Sequence, residues 1–577
     1  EDRYQQRGES LPLARLGLDI YREYQNRLAR TGVDFDDLIR LAAQAIDLDP
    51  DFLARLRRRW PYILEDEAQD SSLLQQQILE ALAGPDGAWV RVGDPNQAIY
   101  ETFTTANPEH LRHFLRREDV VSLPMPESGR STQSIMNLAN RLIDWTLDEH
   151  PAPEARLALD TPHIEPTPPG DPQPNPTDRP DQIHFRAEKY RPEQEIQTIV
   201  RSVKQWLAGH ADQTVAVLDA RNKRGVDLAN ALRRADVPYV ELLNSTAATR
   251  SAAGVLSNVL KALARPAEAR QLATVFHVWR RHDWDLEDLQ PVFEWIEKAL
   301  QNCARLEDYL WPRPGRDWLE LQVKELAERA LAAGEDPDRD ESIQLIRKLL
   351  LDFRTLVRRW QEAASLPIDQ LILLLAQDLF DSPAELALSH KFAVVLRQLA
   401  VEQPGYRLPQ FVEALAEIAR NQRRFLGFDE ESLGFEPPKG KVTVSTMHRA
   451  KGLEWDRVYL MGLNNYSFPS GQPQDSYFSE KWFVRDSLDL EAEILAQLAA
   501  LTDDREYQEG AATQQARLDL VRERLRLFFV GLTRARQELV VTWNRGRQFP
   551  NKLDNQPAIP FVALQTWWES QEVKSKE

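Results

Sequence analysis

Cysteine is nearly absent from the 577 residues; Cys303 is the single one. This excludes an intramolecular disulfide and any cysteine cluster for zinc, and it fits a reducing cytosol, so a cytoplasmic location is expected. Long apolar runs are lacking too. The longest near the middle, Leu371 to Ala376, is far short of a membrane span, and no membrane is expected as a partner. Excess positive charge is missing: 72 Lys and Arg stand against 90 Asp and Glu, a net charge of −18. That excludes wholesale electrostatic wrapping of nucleic acid but leaves room for a local basic groove. No signal peptide is visible, and the chain opens on Glu1 in polar sequence, so a truncated or processed N-terminus is expected. One more absence bears on chemistry. No Gly-x-x-x-x-Gly-Lys-Ser/Thr occurs, and the one Gly-Lys pair, Gly440-Lys441, runs straight into Val442 at a strand entrance.

What is present is organised around Pro61 to Asp70, PYILEDEAQD. Tyr62, Ile63 and Leu64 form a short apolar run, which predicts a strand buried on both faces of a parallel sheet. Asp66 and Glu67 follow at its carboxyl end, where open α/β sheets bind ligands, with Gln69 and Asp70 just after. An Asp there can hold Mg²⁺ on nucleotide phosphates, and a neighbouring Glu can position or deprotonate a water. Acid pairs at such turns also serve simply as helix N-terminal charges, and that reading stays open.

Taken in order, Leu16 to Ile46 reads as helix, with Ile20, Tyr24 and Leu28 on one face. Strands are expected at Ala88 to Val92 and Val120 to Leu123, with helices between and after them. Ten prolines crowd the stretch from Glu149 to Asp181, too many for a helix or sheet interior, and it reads as an extended surface connector. Further strands are expected at Ile183 to Phe185, Thr214 to Leu218, Pro238 to Leu242, Val442 to Ser445, Val458 to Met461 and Leu539 to Trp543. A helical block, Ala247 to Gln422, interrupts this second α/β region.

The polar turns after these strands carry the chemistry. Gly93 to Tyr100, GDPNQAIY, offers Gln97 for a phosphate oxygen or an attacking water, and Tyr100 for stacking on a base. Arg130 lies in a Gly-Arg-Ser turn, and Arg534 and Arg536 follow a helix with Glu523-Arg524-Leu525-Arg526. Phosphoryl transfer wants such cations across a cleft, although each singly could be a surface ion-pair partner.

In that order these segments closely resemble the motifs of superfamily 1 helicases of the UvrD/Rep type. EDEAQD looks like motif II, GDPNQAIY motif III, GRS the arginine-bearing core of motif IV, STMHRAKGLEW motif V and ERLRLFFVGLTRAR motif VI. Asp34 to Ile39, DFDDLI, resembles a stretch that such proteins carry before motif II. The resemblance implies two RecA-like parallel-sheet domains facing an ATP cleft, each with a helical insertion, the first domain incomplete at its N-terminus. Residues 1–148 would be that partial first domain, with an insertion remnant at 1–55; 149–181 a proline-rich linker; 182–246 and 423–577 the second domain; and 247–422 its insertion. It implies ATP and Mg²⁺ as cofactors, single-stranded or duplex-junction DNA as partner, and translocation in the 3′-to-5′ direction coupled to unwinding. Asp66 would bind Mg²⁺, largely through water, and Glu67 would activate the hydrolytic water. Gln97 would sense the γ-phosphate and link it to DNA through Tyr100, while Arg130 and Arg534 would be arginine fingers. Gly452 and Glu454 would contact the nucleotide, and Thr446 and His448 would face the single strand. For His448 an ordinary buried polar position is the other reading. The family continues motif III with Tyr-x-aromatic-Arg; here Phe103 is displaced by one position and the Arg is missing. A second reading of the whole is a helicase-like DNA-binding or scaffolding protein without ATPase activity.

Overall fold

A computed structural model describes residues 11–85, 87–99, 107–243, 247–284, 286–332, 341–420, 435–472, 475, 484–503, 506–546 and 554–574. Contacts divide the chain into two compact units, Glu1–Leu243 with Phe435–Glu577, and Asn244–Gly434.

The first unit holds a two-stranded parallel sheet, β1 (Tyr62–Glu65) with β2 (Ala88–Arg91). It also holds a six-stranded parallel sheet: β3 (Ile183–Phe185), β4 (Val215–Asp219), β5 (Tyr239–Leu242), β6 (Val442–Thr446), β7 (Trp455–Met461) and, after a short antiparallel pair β8 (Val484–Arg485) and β9 (Leu488–Asp489), β10 (Ala535–Val541). The order across the large sheet is β3-β10-β7-β4-β6-β5. Its middle strands are buried on both faces, as their β-branched runs require. Val215 and Val217 of β4 pack with Ile199, Val203 and Leu228 of the helices Pro192–Leu207 and Asn222–Arg234. Ala216 and Leu218 belong to the opposite face, with Leu138, Leu142 and Phe528 of the helices Gln133–Glu149 and Ala511–Leu532. Period-two alternation therefore feeds two helical layers from one strand.

Four sequence expectations need correcting. β1 is not buried on both faces: Tyr62 is 73% and Leu64 79% exposed, because among the described residues β1 pairs only with β2 and no helix covers that side. The other face is filled by an ion pair instead, Arg91 Nε to Glu65 Oε2 at 2.7 Å, with the guanidinium over Trp89 and Phe114. Residues 120–123 form no strand, and Val121 and Leu123 point outward. The Ile20 and Tyr24 face of the helix Pro12–Thr31 is exposed as well; the helix packs through Ala14 and Gly17 on Leu490–Asp503 instead. Finally, the helix Gln133–Glu149, expected with the first sheet, has its apolar stripe in the core of the second, and Thr132 N donates to Arg536 O at 2.9 Å.

The proline-rich stretch is irregular, as its composition demands, yet it is packed down. Ala155, Ala158 and Leu159 are fully buried. Asp178 caps the helix Gln133–Glu149 from a distance, accepting Ser134 N at 3.0 Å and Ser134 Oγ at 2.7 Å, where Thr132 makes no side-chain cap. Asp178→Ala should therefore lower stability by about 1 kcal/mol, the usual value of an N-cap, read as a lower melting temperature.

At the carboxyl end of β4 a buried polar cluster forms. Glu195 accepts Gly462 N, Thr542 Oγ1, Asn544 Nδ2 and Arg224 Nη2 at 2.6–2.9 Å. Asp219 beside it is fully buried, and its carboxyl is pushed up from 3.8 to about 6 by burial, which outweighs Arg221 and Arg224. An acid raised on folding binds its proton more tightly in the folded state, so stability should fall as pH rises through that window. Asp219→Asn is expected to flatten the melting temperature against pH between these values. An unchanged profile would remove Asp219 as its source.

The second unit contains nine described helices, from Ala247–Ala264 to Leu408–Ala419, around one core that includes Leu256, Phe276, Phe353, Trp360 and Phe392. Cys303 belongs to this core, and burial pushes its thiol up to about 11, which makes it an unreactive packing residue. No helix among the described residues is long and apolar enough to cross a membrane.

Candidate functional site

The site lies where the carboxyl ends of β1 and β2 meet the amino ends of β7 and β10. The turn after β1 places Glu67 at φ 52°, a left-handed conformation that a non-glycine residue adopts at a cost. Asp66 Oδ1 accepts Glu67 N at 2.8 Å, and both side chains are exposed. Gln69, almost fully buried, donates to Glu67 Oε2 at 2.5 Å and accepts Asp94 N at 3.0 Å, tying the two turns together. Gly93 is needed for that approach: a Cβ there would meet Gln69 Oε1 at 2.5 Å.

Asp94 then builds the second turn, accepting Asn96 N and Gln97 Nε2, both at 2.9 Å. Burial pushes the Asp94 carboxyl up, against those hydrogen bonds. With its amide nitrogen held this way, Gln97 offers Oε1 outward, and Arg534 Nη2 reaches it at 3.4 Å. The turn is also fastened to the larger sheet's layers. Asn96 exchanges two hydrogen bonds with the Asp160 backbone at 2.7 and 2.8 Å, and Arg526 Nε donates to Ala98 O at 2.5 Å.

Arg534 ends the helix Ala511–Leu532 and precedes β10. It is 1% exposed and donates to Val530 O, Leu453 O and Thr533 Oγ1 at 3.1–3.2 Å. Burial, with Arg130 nearby, brings its guanidinium down to about 9 against the pull of Glu454, Asp94 and Glu67. Arg130 Nε pairs with Glu454 Oε2 at 2.7 Å, and Arg536 stands 3.8 Å from the same carboxylate. The connection from β6 to β7 must recross a five-residue strand, about 17 Å, to reach the start of its parallel neighbour. It therefore leaves Thr446 at the carboxyl edge and delivers Lys451, Gly452 and Glu454 to the amino edge. Gly452 turns at φ 80° to do so.

Asp66, Glu67, Gln97, Arg130, Glu454 and Arg534, all named from sequence, thus converge on one place. Thr446 and His448 stand apart. Thr446 is 9% exposed and accepts Arg449 N, and His448 Nε2 lies 3.4 Å from Glu523 Oε1, with burial lowering its imidazole. In this arrangement His448 faces the interior. Tyr100 and Phe103 lie outside the described residues. Sequence reasoning missed Lys451, whose Nζ pairs with Asp70 and Glu67, and Arg526. A cation directly before the Gly452 turn was the available signal for the first; an arginine inside a helix gave none for the second.

Comparisons with known proteins agree with this geometry. Residues 2–118 match the UvrD/REP helicase N-terminal domain, and residues 402–546 the UvrD-like helicase C-terminal domain. The chain is 22% identical over 556 residues to an ATP-dependent helicase/nuclease of Streptococcus equi subsp. zooepidemicus, covering 90% of this chain and 43% of that protein. It is 26% identical over 491 residues to the ATP-dependent DNA helicase UvrD1 of Mycobacterium tuberculosis, covering 81% of this chain and 58% of that protein. With DNA helicase II of Haemophilus influenzae it shares 35% identity over 127 residues, 22% of this chain and 17% of that protein. The chain therefore spans from less than a fifth to under three-fifths of the length of these relatives. By its N-terminal and C-terminal domain matches and the motif residues gathered in one cleft, the chain belongs to the UvrD/Rep-type helicases.

Proposed function

We propose that the chain is the cleft-bearing part of an ATP-dependent DNA helicase or translocase that moves 3′-to-5′ on single-stranded DNA and couples hydrolysis to unwinding. The observation that carries this is the meeting of Glu67 and Gln97 from one sheet with Arg130, Glu454 and Arg534 from the other, acids and an amide facing guanidinium groups. Nucleotide hydrolysis needs that division of labour.

The donor set fits Mg²⁺ in its phosphate-bound form. Among the described residues no group of three or more acids, histidines or cysteines could hold a metal, and Mg²⁺ on a nucleotide needs only one or two carboxylates besides phosphate and water. Asp66 would hold it; once bound, the ion neutralises phosphate charge. Glu67 would orient the attacking water and take its proton at a carboxylate oxygen. Arg130 and Arg534 would balance charge gathering on the γ-phosphate oxygens, and Gln97, already bonded to Arg534, would report its presence. Gly452 and Glu454 would contact the rest of the nucleotide, so Arg130 exchanges Glu454 for phosphate. Tyr100, Phe103, Thr446 and His448 would meet the DNA. Residues 1 to about 120 would form the first nucleotide-facing body, the larger sheet with its helices the second, and 247–422 the second body's insertion.

In a form supplied with a phosphate-binding loop, unwinding of a 3′-tailed duplex but not a 5′-tailed one is the expected result. Loss of that preference, or no unwinding, would overturn the reading. The lack of Gly-x-x-x-x-Gly-Lys-Ser/Thr favours one rival, a DNA-binding or scaffolding protein without ATPase activity. For the DNA contact itself, Phe103→Ala should weaken single-strand binding by residues 1–577 about tenfold to a hundredfold at fixed salt, the scale of one base stack. Fluorescence anisotropy with a labelled oligonucleotide reads this, and an unchanged Kd assigns Phe103 to packing.

A further inference from the structure

Inside the site, a cation from one sheet already sits among acids of the other. Lys451 Nζ lies 2.5 Å from Asp70 Oδ2 and 3.2 Å from Glu67 Oε2, with its side chain 7% exposed. The acids around it are matched one by one. Glu65 is taken by Arg91, and Glu67 shares Oε2 between Gln69 and Lys451. Asp66 accepts only the Glu67 backbone N–H among the described contacts and faces solvent. Burial raises the Asp70 carboxyl, and Lys451 pulls it back toward the charged form.

We propose that Lys451 is the counter-cation of Glu67 and Asp70 while the site is empty, and that a divalent cation binds the Asp66–Glu67 turn in competition with it. This rests on the reading of Asp66 as the metal-holding residue. An ammonium within hydrogen-bond range of Glu67 stands next to where Asp66 would present a hydrated metal, and like charges so close repel even through solvent. The same contact turns a Glu67 lone pair toward protein rather than toward a water, so the residue that would take a proton is held idle. Entry of a metal cation satisfies the acids and lets Lys451 withdraw. Lys451 belongs to the β6–β7 connection and Asp70 to the turn after β1, so metal affinity and the joining of these two segments are linked, each weakening the other. In this state Lys451 is a positioning residue: it acts through Glu67 and Asp70.

The test is Mn²⁺ binding to residues 1–577, read by the loss of the free-ion signal in electron paramagnetic resonance, without nucleotide or turnover. Lys451→Met, which keeps length and removes charge, should bind Mn²⁺ about tenfold tighter, the scale of deleting one adjacent like charge. Lys451→Gln, which keeps a donor for Asp70, should do the same, and Lys451→Arg should stay near the parent. Asp66→Asn should abolish the tight component in each background, and circular dichroism checks that every variant is folded. Asp66-dependent binding that is equal in the parent and in both neutral variants overturns this inference and leaves the metal assignment standing. Absence of any Asp66-dependent binding, in the neutral variants included, overturns both.

Discussion

Residues 1–577 alone are expected to show no ATP hydrolysis, with or without single-stranded DNA. A triphosphate in a helicase cleft is held by a nest of backbone N–H groups and a lysine on the β- and γ-phosphates, and this sequence has no segment of that pattern. The structure sharpens the expectation. The cations of the site, Arg130, Lys451 and Arg534, all come from the larger sheet's side, while the β1 turn contributes Asp66, Glu67 and Asp70. A nucleotide set against that turn would meet carboxylates with no N–H cradle to offset them. Since phosphoryl transfer is catalysed almost wholly by positioning and charge stabilisation, losing the cradle removes turnover instead of slowing it. The exposed Tyr62, Leu64, Val90 and Val92 beside β1 and β2 also predict poor solubility for this stretch by itself. Steady-state hydrolysis with and without DNA decides the matter, with Glu67→Gln as the contamination control. Turnover that depends on both DNA and Glu67 would falsify the expectation and point to another phosphate-holding element.

In a form that does carry a phosphate-binding loop, Arg534→Ala should cut turnover about a thousandfold, the usual scale for an arginine finger. From sequence alone little change in folding is expected from this substitution. The burial of Arg534 changes that part. Its guanidinium serves Leu453 O, Val530 O, Thr533 Oγ1 and Gln97 Oε1, and truncation strands acceptors that water reaches poorly. Each buried group left unpaired costs about 1–3 kcal/mol, so the variant should also melt at a lower temperature. Turnover must therefore be expressed per folded molecule, and Arg534→Lys, which keeps the charge but not the fork of donors, separates charge from scaffolding. Near-normal turnover per folded Arg534→Ala molecule would return this residue to a structural role.

Where the amino-acid pattern is long and strictly periodic it specifies its own surroundings. The stripe of Gln133–Glu149 and the runs of β4, β6 and β7 are buried as read. The three-residue apolar run of β1 announces a strand but says nothing of how many neighbours cover it, and Tyr62 and Leu64 end up in the open. Motif order located Glu67, Gln97, Arg130 and Arg534 because each sits in a turn of recognisable composition. Lys451 and Asp70 are 381 positions apart, and no local spacing joins them. His448 illustrates the reverse: a motif position read as facing DNA has its imidazole against Glu523, since the turn it occupies must first cross the face of a sheet.

The fastening of the Asp94–Ala98 turn has a kinematic consequence. The turn is bolted to the larger sheet's layers by Asn96 with Asp160, by Ala98 with Arg526 and by Gln97 with Arg534. On its other side a single side chain, Gln69, ties it to the β1 turn. When the two sheets separate, Gln97 and Arg534 should travel as one piece, keeping their spacing through the cycle. The parting line then runs past Gln69 and Lys451, so a pair of spin labels flanking Asp94 and Arg534 would record almost nothing, while a pair flanking Asp70 and Lys451 would record the stroke.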